Sequence, residues 1–360
     1  MEPGNQKPGA PRPLVVRVPV EPVEAAVEAD AVDAIASAGD VGVRGPLFGV
    51  AAQNAADGAR WRVVVPMTAA CPQQARDSLN SKLWFRAKDE ARDKAERRAL
   101  LAAVTRLENE PVDELTVEDT RYRIVRVEEY VGLGREGIEQ PRPTDPEPPV
   151  PDWSLQARDP EIDDGLVMDP DAPVTPTQAM EQLALRDLAY AGSRFPAHVL
   201  ADSRNALVTH PDVLVLPATF AIVERTDTGW QPVGAPHATA HAARRSLQFG
   251  LLWTWPRTHG LIPFEADPHT TARTATEKEV SAADLAALAA YVAAADELRA
   301  APRVNRVRLD DTVYQIGRTR RLVRWGPDGP EPPRPSDIAG HDPERMHLVM
   351  DEDGNVLPES

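Results

Sequence analysis

The chain has a single cysteine, Cys71, among its 360 residues, which excludes an internal disulfide. It lacks a surplus of basic charge: 40 Lys and Arg stand against 56 Asp and Glu, a formal net charge of −16. General affinity for nucleic acid or for an anionic membrane needs a cationic surface, so neither is expected. No stretch approaches the roughly 18 uninterrupted apolar residues of a membrane span, and the opening MEPGNQKPGAPRP has no apolar core of a secretory signal. A cytoplasmic location is the resulting expectation. Catalytic signatures are missing too, with neither a Gly-x-Ser-x-Gly elbow nor a His-Glu-x-x-His pair in the sequence. No cofactor and no metal are expected, and Cys71, with no His and Asn or Asp constellation to activate it, reads as a buried small thiol.

What the chain does have is a copy of part of itself. Thr120 to Asp145 reads TRYRIVRVEEYVGLGREGIEQPRPTD and Thr312 to Asp337 reads TVYQIGRTRRLVRWGPDGPEPPRPSD, identical at 12 of 26 positions after a shift of 192. Pro19-Val20-x-Pro22 returns as Pro173-Val174-x-Pro176, Trp61 as Trp230, Ala75-Arg76-x-Ser78-Leu79 as Ala243-Arg244-x-Ser246-Leu247, and Leu166-Val167-Met168-Asp169 as Leu348-Val349-Met350-Asp351. Self-similarity in this order predicts two tandem units. The expected organisation is a disordered tail over 1–16, unit one over 17–171, unit two over 173–353 and a C-terminal tail over 354–360. The shift grows from 168 at Ser78/Ser246 to 192 at Tyr122/Tyr314, so unit two carries 24 extra residues, about 254–277. The Pro-, Asp- and Glu-dense stretch around 141–176 reads as an extended connector.

Each unit carries the same signals. A helix (Val23 to Ser37; Thr177 to Ala191) leads to a strand through Phe48 or Phe220, a turn at Asp57-Gly58 or Asp227-Thr-Gly229, and a strand from Trp61 or Trp230. In unit one Pro72 suits a first helical turn. The run Gln73 to Leu107 then has neither Pro nor Gly and repeats apolar residues every four positions, which predicts one long helix. In unit two Pro256, Gly260 and Pro263 must split that helix, the second part being capped by Ser281 with Asp284. Strands follow at Tyr122 to Val127 and at Val313 to Trp325. The fold class predicted is α+β, each unit a small, mainly antiparallel sheet with a long packing helix.

Candidate sites are few. Arg318, Arg320 and Arg324 share one face of a strand, with Arg321, Val323 and Trp325 on the other. Such a cationic face beside an aromatic suits a phosphate or an acidic peptide; the alternative is pairing with the chain's own carboxylates. In the insertion, Trp253, Trp255 and Phe264 need cover, which a unit interface or a ligand groove would supply. His237 and His241, four apart, and His259 and His269 lack a closed ligand set. In Arg86 to Arg98, Glu90 with Lys94 and Asp93 with Arg97 are favourable four-residue pairs on a solvated helix face. The Gly-x-x-Gly loops before Pro-Arg-Pro lead to proline, not to a helix N-terminus, and read as turns.

The segments ARDSLNSKLWFRAKDEARDKAERRALLAAV, TRYRIVRVEEY and RLVRWGPDGPEPPRPSD resemble a family of uncharacterised proteins from high-GC actinobacteria. The resemblance covers most of the chain and implies a domain of unknown function with no assigned catalytic or binding residues. Two readings stay open. One is a non-enzymatic interaction or adaptor protein with a protein partner. The other is a small-molecule or phosphate-ligand binder or enzyme, with a site between the units at Arg318, Arg320, Arg324, Trp325, Trp253, Trp255 and His259.

Overall fold

A computed structural model describes residues 11–154, 156–226, 229–301, 303–351 and 353–356. The first half of the chain runs α1 (Pro22–Ser37), β1 (Ala38–Asn54), β2 (Trp61–Ala69), α2 (Pro72–Asp89), α3 (Lys94–Asn109), β3 (Glu114–Val117), β4 (Thr120–Gly134), β5 (Gly137–Ile138) and β6 (Val167–Met168). The second runs α4 (Pro176–Leu185), α5 (Ala197–Thr209), β7 (Asp212–Val215), β8 (Thr219–Thr226), β9 (Gly229–His237), α6 (Ala240–Phe249), α7 (Trp255–Thr258), α8 (Ala282–Ala300), β10 (Arg306–Leu309), β11 (Thr312–Gly326) and β12 (Gly329–Pro330). The α+β class and the antiparallel pairing are as expected. The strands, however, join into one 12-stranded sheet with the path β6-β2-β1-β4-β11-β8-β9 rather than two separate ones.

The junction of that sheet explains why. β4 and β11 pair antiparallel from Val127↔Val323 to Val131↔Thr319, and Glu129 faces Arg321, the residue 192 positions on. Contacts on either side recur with the same shift. The Arg126 N–H donates to the Glu331 carbonyl at 2.9 Å, and the Arg318 N–H to the Glu139 carbonyl at 2.7 Å. Glu118 and Asp310, in the two hairpin turns, both sit at φ 52°. Gly137 lies under the Trp230 ring and Gly329 under the Trp61 ring, so each half places a Trp on the other's hairpin. A Cβ on Gly329 would lie 2.7 Å from Trp61 Nε1, and the residue's φ of +111° already disfavours an L side chain. Gly329→Ala is expected to cost roughly 2–4 kcal/mol through strain and overpacking, read from chemical denaturation against Gly58→Ala, where φ is +62° but nothing lies within 4 Å.

The predicted single helix over Gln73 to Leu107 is two helices. Asp93 is extended and its side chain accepts the Glu96 N–H at 2.8 Å, an N-cap that starts α3 afresh. The Glu96 carboxylate takes the Arg92 backbone N–H and Nε and also Arg86, and Arg92's side-chain bond is the main reason its pKa falls from 4.5 to about 2. The four-residue stripe survives the break because Leu79, Leu83, Leu100, Val104 and Leu107 all enter one core with Phe48, Tyr122 and Ile124. Glu90 therefore ends α2 and Asp93 caps α3, so the continuous helix face expected across Arg86 to Arg98 is interrupted.

In the second half the corresponding helices are α6 and α8, the latter capped by Ser281 accepting from the Asp284 N–H as expected. Between them lie a π-helical turn (Gly250–Thr254), α7 and an irregular stretch. This insertion covers its own half's core, where Ile262 and Ala272 join Phe220, Leu288, Tyr314 and Ile316; it does not cover the interface between halves. Phe264 is 68 % exposed, so of the three aromatics only the two tryptophans find cover. His237 lies on β9, before α6 begins, and so does not share a helix face with His241.

Residues 11–16, placed in the N-terminal tail by the sequence, run beside 171–174. The Val174 N–H donates to the Val15 carbonyl and the Arg17 N–H to the Val174 carbonyl, both at 2.9 Å. Residues 1–10, 357–360 and the Asp227 turn position lie outside the described residues. The C-terminal segment crosses over to the first half: Met350 enters its core, and the Leu348 carbonyl accepts Trp84 Nε1–H at 3.2 Å. Cys71 is half-buried at the start of α2, where its Sγ faces Gly340 of this segment.

Candidate functional site

Along β11 the even residues change character midway. Tyr314 and Ile316 enter the core under α6 and α8, whereas the same face continues with Arg318 and Arg320, half-buried, and Arg324, buried. Arg318 Nε donates to both oxygens of Asp145 at 3.1 and 3.0 Å. Arg320 Nη2 donates to Glu139 Oε2 at 3.1 Å while Nη1 pairs with Glu181. Arg142 completes the group on Glu139 Oε1 at 2.6 Å, and Tyr130 donates its hydroxyl to Glu181 at 2.7 Å. Burial pushes the Tyr130 hydroxyl pKa well up and lowers that of the Arg318 guanidinium, the latter against the pull of Asp145. Arg324 is 2 % exposed and donates to the carbonyls of Arg186 and Leu188.

Of the two readings of this face, pairing with the chain's own carboxylates is the one seen for Arg318 and Arg320, while Arg324 is held by backbone carbonyls. A second cluster lies on β4, where Arg126 donates to Asp337 and Glu128, Tyr190 donates its hydroxyl to Glu128 at 2.7 Å, and Arg334 holds Glu331 at 2.7 Å. On the opposite face Arg321 and Asp163, each with a side chain 1 % exposed, form a bidentate pair at 2.6 and 2.8 Å.

Beside the Arg318–Arg320 cluster the surface opens into a groove of about 570 Å3. Its walls are α1, α4, residues 12–17 and 166–170, and β7; Arg142, Arg318 and Arg320 lie in its lining. That volume is in the range of ligand sites. Five arginines and five carboxylates line it, among them the pairs Arg17–Glu24 and Arg320–Glu181. Glu28 accepts the backbone N–H and hydroxyl of Thr177 at 2.7 and 2.6 Å, tying α1 to α4. Between the charges the lining is mostly aliphatic, with Thr175, Thr177, Gln178 and Gln182 on the α4 side. Val23 and Val27 of α1 both line the groove and are 76 % and 45 % exposed, and no residue of α1 is buried.

Of the residues singled out from the sequence, only Arg318 and Arg320 line this groove. Trp325 is buried on the other face of β11, in a core with Trp61, Val127 and Val323. Trp255 stacks on Tyr314 with centroids 4.5 Å apart, and Trp253 stacks on Phe249 with the Arg257 guanidinium 4.2 Å from its ring. His259 Nδ1 lies 2.7 Å from the Tyr291 hydroxyl and His241 Nε2 lies 2.9 Å from the Asp152 carbonyl. Among the described residues no group of three or more His, Cys, Asp or Glu could hold a metal ion. None is a helix long and apolar enough to cross a membrane. Sequence reasoning missed the groove itself. Its one sequence signal is Val23, Val27 and Ala31 at four-residue spacing on a helix that the fold leaves unburied.

The model of the family of unknown function DUF5954 matches residues 21–340. The chain belongs to this family. The match runs from α1 through β12 and so takes in both helical walls and the Arg318–Arg320 side of the groove. No curated protein and no solved structure matches the chain.

Proposed function

We propose that this chain is a non-enzymatic interaction protein, built from a duplicated α+β unit, that holds a protein partner at the groove beside α1. The duplication rests on the ordered sequence matches, the Glu129–Arg321 pairing and the reciprocal Trp–Gly contacts. The observation that carries the functional reading is α1 itself: a 16-residue helix with no buried residue, of which Val23 and Val27 face an open groove. Contiguous exposed apolar surface of this kind is what partners cover. Catalysis gains no support here, because the charged groups beside Arg318 and Arg320 are in ion pairs and Glu28 is held by Thr177. A small phosphate or carboxylate ligand on Arg318 and Arg320 is less well supported, since Asp145, Glu139 and Glu181 already balance their charge and, of their buried nitrogens, leave only Arg318 Nη1 and Arg320 Nε without a hydrogen bond.

The test is affinity capture from native lysate with the wild type and the double variant Val23→Asp, Val27→Asp. Both positions are exposed, so the melting curve should be unchanged while one or more captured proteins disappear. Identical captured sets would retire the reading.

A further inference from the structure

We propose that the groove accepts an extended peptide segment of the partner, added as a strand between β6 and β7. This rests on the reading of the groove as a partner site and names the conformation and chemistry of what enters it.

The argument starts from backbone hydrogen bonds. β7 pairs antiparallel with β11, with Val215 opposite Leu322 and Val213 opposite Arg324. The Leu216 N–H donates to the Arg321 carbonyl at 2.8 Å, which makes that couple, and by alternation Leu214 with Val323, the hydrogen-bonded ones. Val213 and Val215 therefore turn their N–H and C=O groups away from β11. On the facing wall, β6 pairs antiparallel with β2, and the Val63 N–H donates to the Leu166 carbonyl at 2.8 Å. The same alternation turns the N–H and C=O of Val167 away from β2. All three residues line the groove, Val167 exposed, Val215 half-buried and Val213 buried with Leu185 and Tyr130, and among the described residues none of these outward backbone groups has a hydrogen-bond partner. Two strand edges thus face one space. An unpaired edge is a template for another strand.

Side chains set the chemistry of the guest. Leu214, Leu216 and Leu166 pack on the core that holds Trp61, Val127, Val323 and Trp325, a core fed by β1, β2, β4, β6 and β11. The sheet therefore curls round this core and is open at the groove, where a strand would present alternate residues to those leucines. The guest is a segment of alternating apolar and polar residues, with no proline at the bonding positions, since proline has no N–H to give. The formal charge of −16 disfavours an acidic segment and favours basic flanks.

The experiment uses the full chain and a fluorescent peptide of about eight residues, close to the usual strand length, alternating valine and threonine between lysines. A twin peptide, N-methylated at alternate residues, has the same side chains and charge but lacks half the donors. Expected are saturable binding of the first peptide, binding at least about tenfold weaker for the twin, and slowed hydrogen exchange at the amides of Val167 and Val215. No saturable binding, equal binding of the twin, or protection confined to other segments would overturn strand addition. So would protection of these amides that rises with protein concentration alone, which would make a second copy the occupant. Loss of a captured protein on Val23→Asp, Val27→Asp with no peptide binding would leave the partner reading standing and remove only this one.

Discussion

Asp163→Asn is expected to lower the melting temperature by roughly 6–15 °C, from a loss of about 3–5 kcal/mol. Asp163 and Arg321 are buried together, and Asp163 Oδ2 also accepts the Met67 N–H at 3.1 Å. Removing the carboxylate charge leaves a guanidinium with no counter-charge in a place where water cannot solvate it. Asparagine is chosen because Asp163 sits at φ 60°, a conformation asparagine tolerates, so the loss reports charge and not backbone strain. The double variant Asp163→Asn, Arg321→Met should recover most of the loss, since replacing both partners of a buried pair is often near neutral. Calorimetry of the three proteins decides the matter. A single variant melting within about 2 °C of wild type would show that the pair is solvated in solution.

Cutting the chain at residue 172 has the second large effect. Expressed alone, 11–171 and 172–356 should each give no cooperative thermal transition, and mixing them should restore one. The first half alone would expose the edge of β4 that β11 covers, strip Met350 from its core and remove Gly329 from beneath the Trp61 ring. The second half would lose the Glu139 carbonyl and Asp145 from Arg318, leaving that guanidinium buried without its carboxylate. Breaking a buried pair by removing one member is strongly destabilising, and several would break at once. A cooperative melt from either half alone would show that its contacts with the other are not needed for folding.

Local signals set most element positions. Pro72 opens α2, Ser281 caps α8, and β2 and β9 begin beside the tryptophans as read. The strand parity that set Arg318, Arg320 and Arg324 opposite Trp325 holds as well. The break before α3 was missed because Asp93 in an apolar-periodic run looks like any polar helix position until its side chain is seen bonding the Glu96 N–H. For the arginine face the sequence left two outcomes open, a free cationic surface and pairing with the chain's own carboxylates, and the structure shows the pairing. Which outcome holds was not legible locally, because Asp145, Glu139 and Glu181, the partners of Arg318 and Arg320, lie more than 130 residues away in sequence.

The sequence by itself determined the α+β class, the starts of α2, α8, β2 and β9 and the absence of an internal disulfide, because these follow from residue counts and from neighbours within a few residues: caps, prolines and two- or four-residue periodicity. Only the tertiary structure decided that the strands form one sheet, that the arginines of β11 are matched internally, and that Val167, Val213 and Val215 turn unpaired edges into one groove. Strand pairing and burial depend on which distant segments meet, and residues far apart along the chain carry no mark of that meeting.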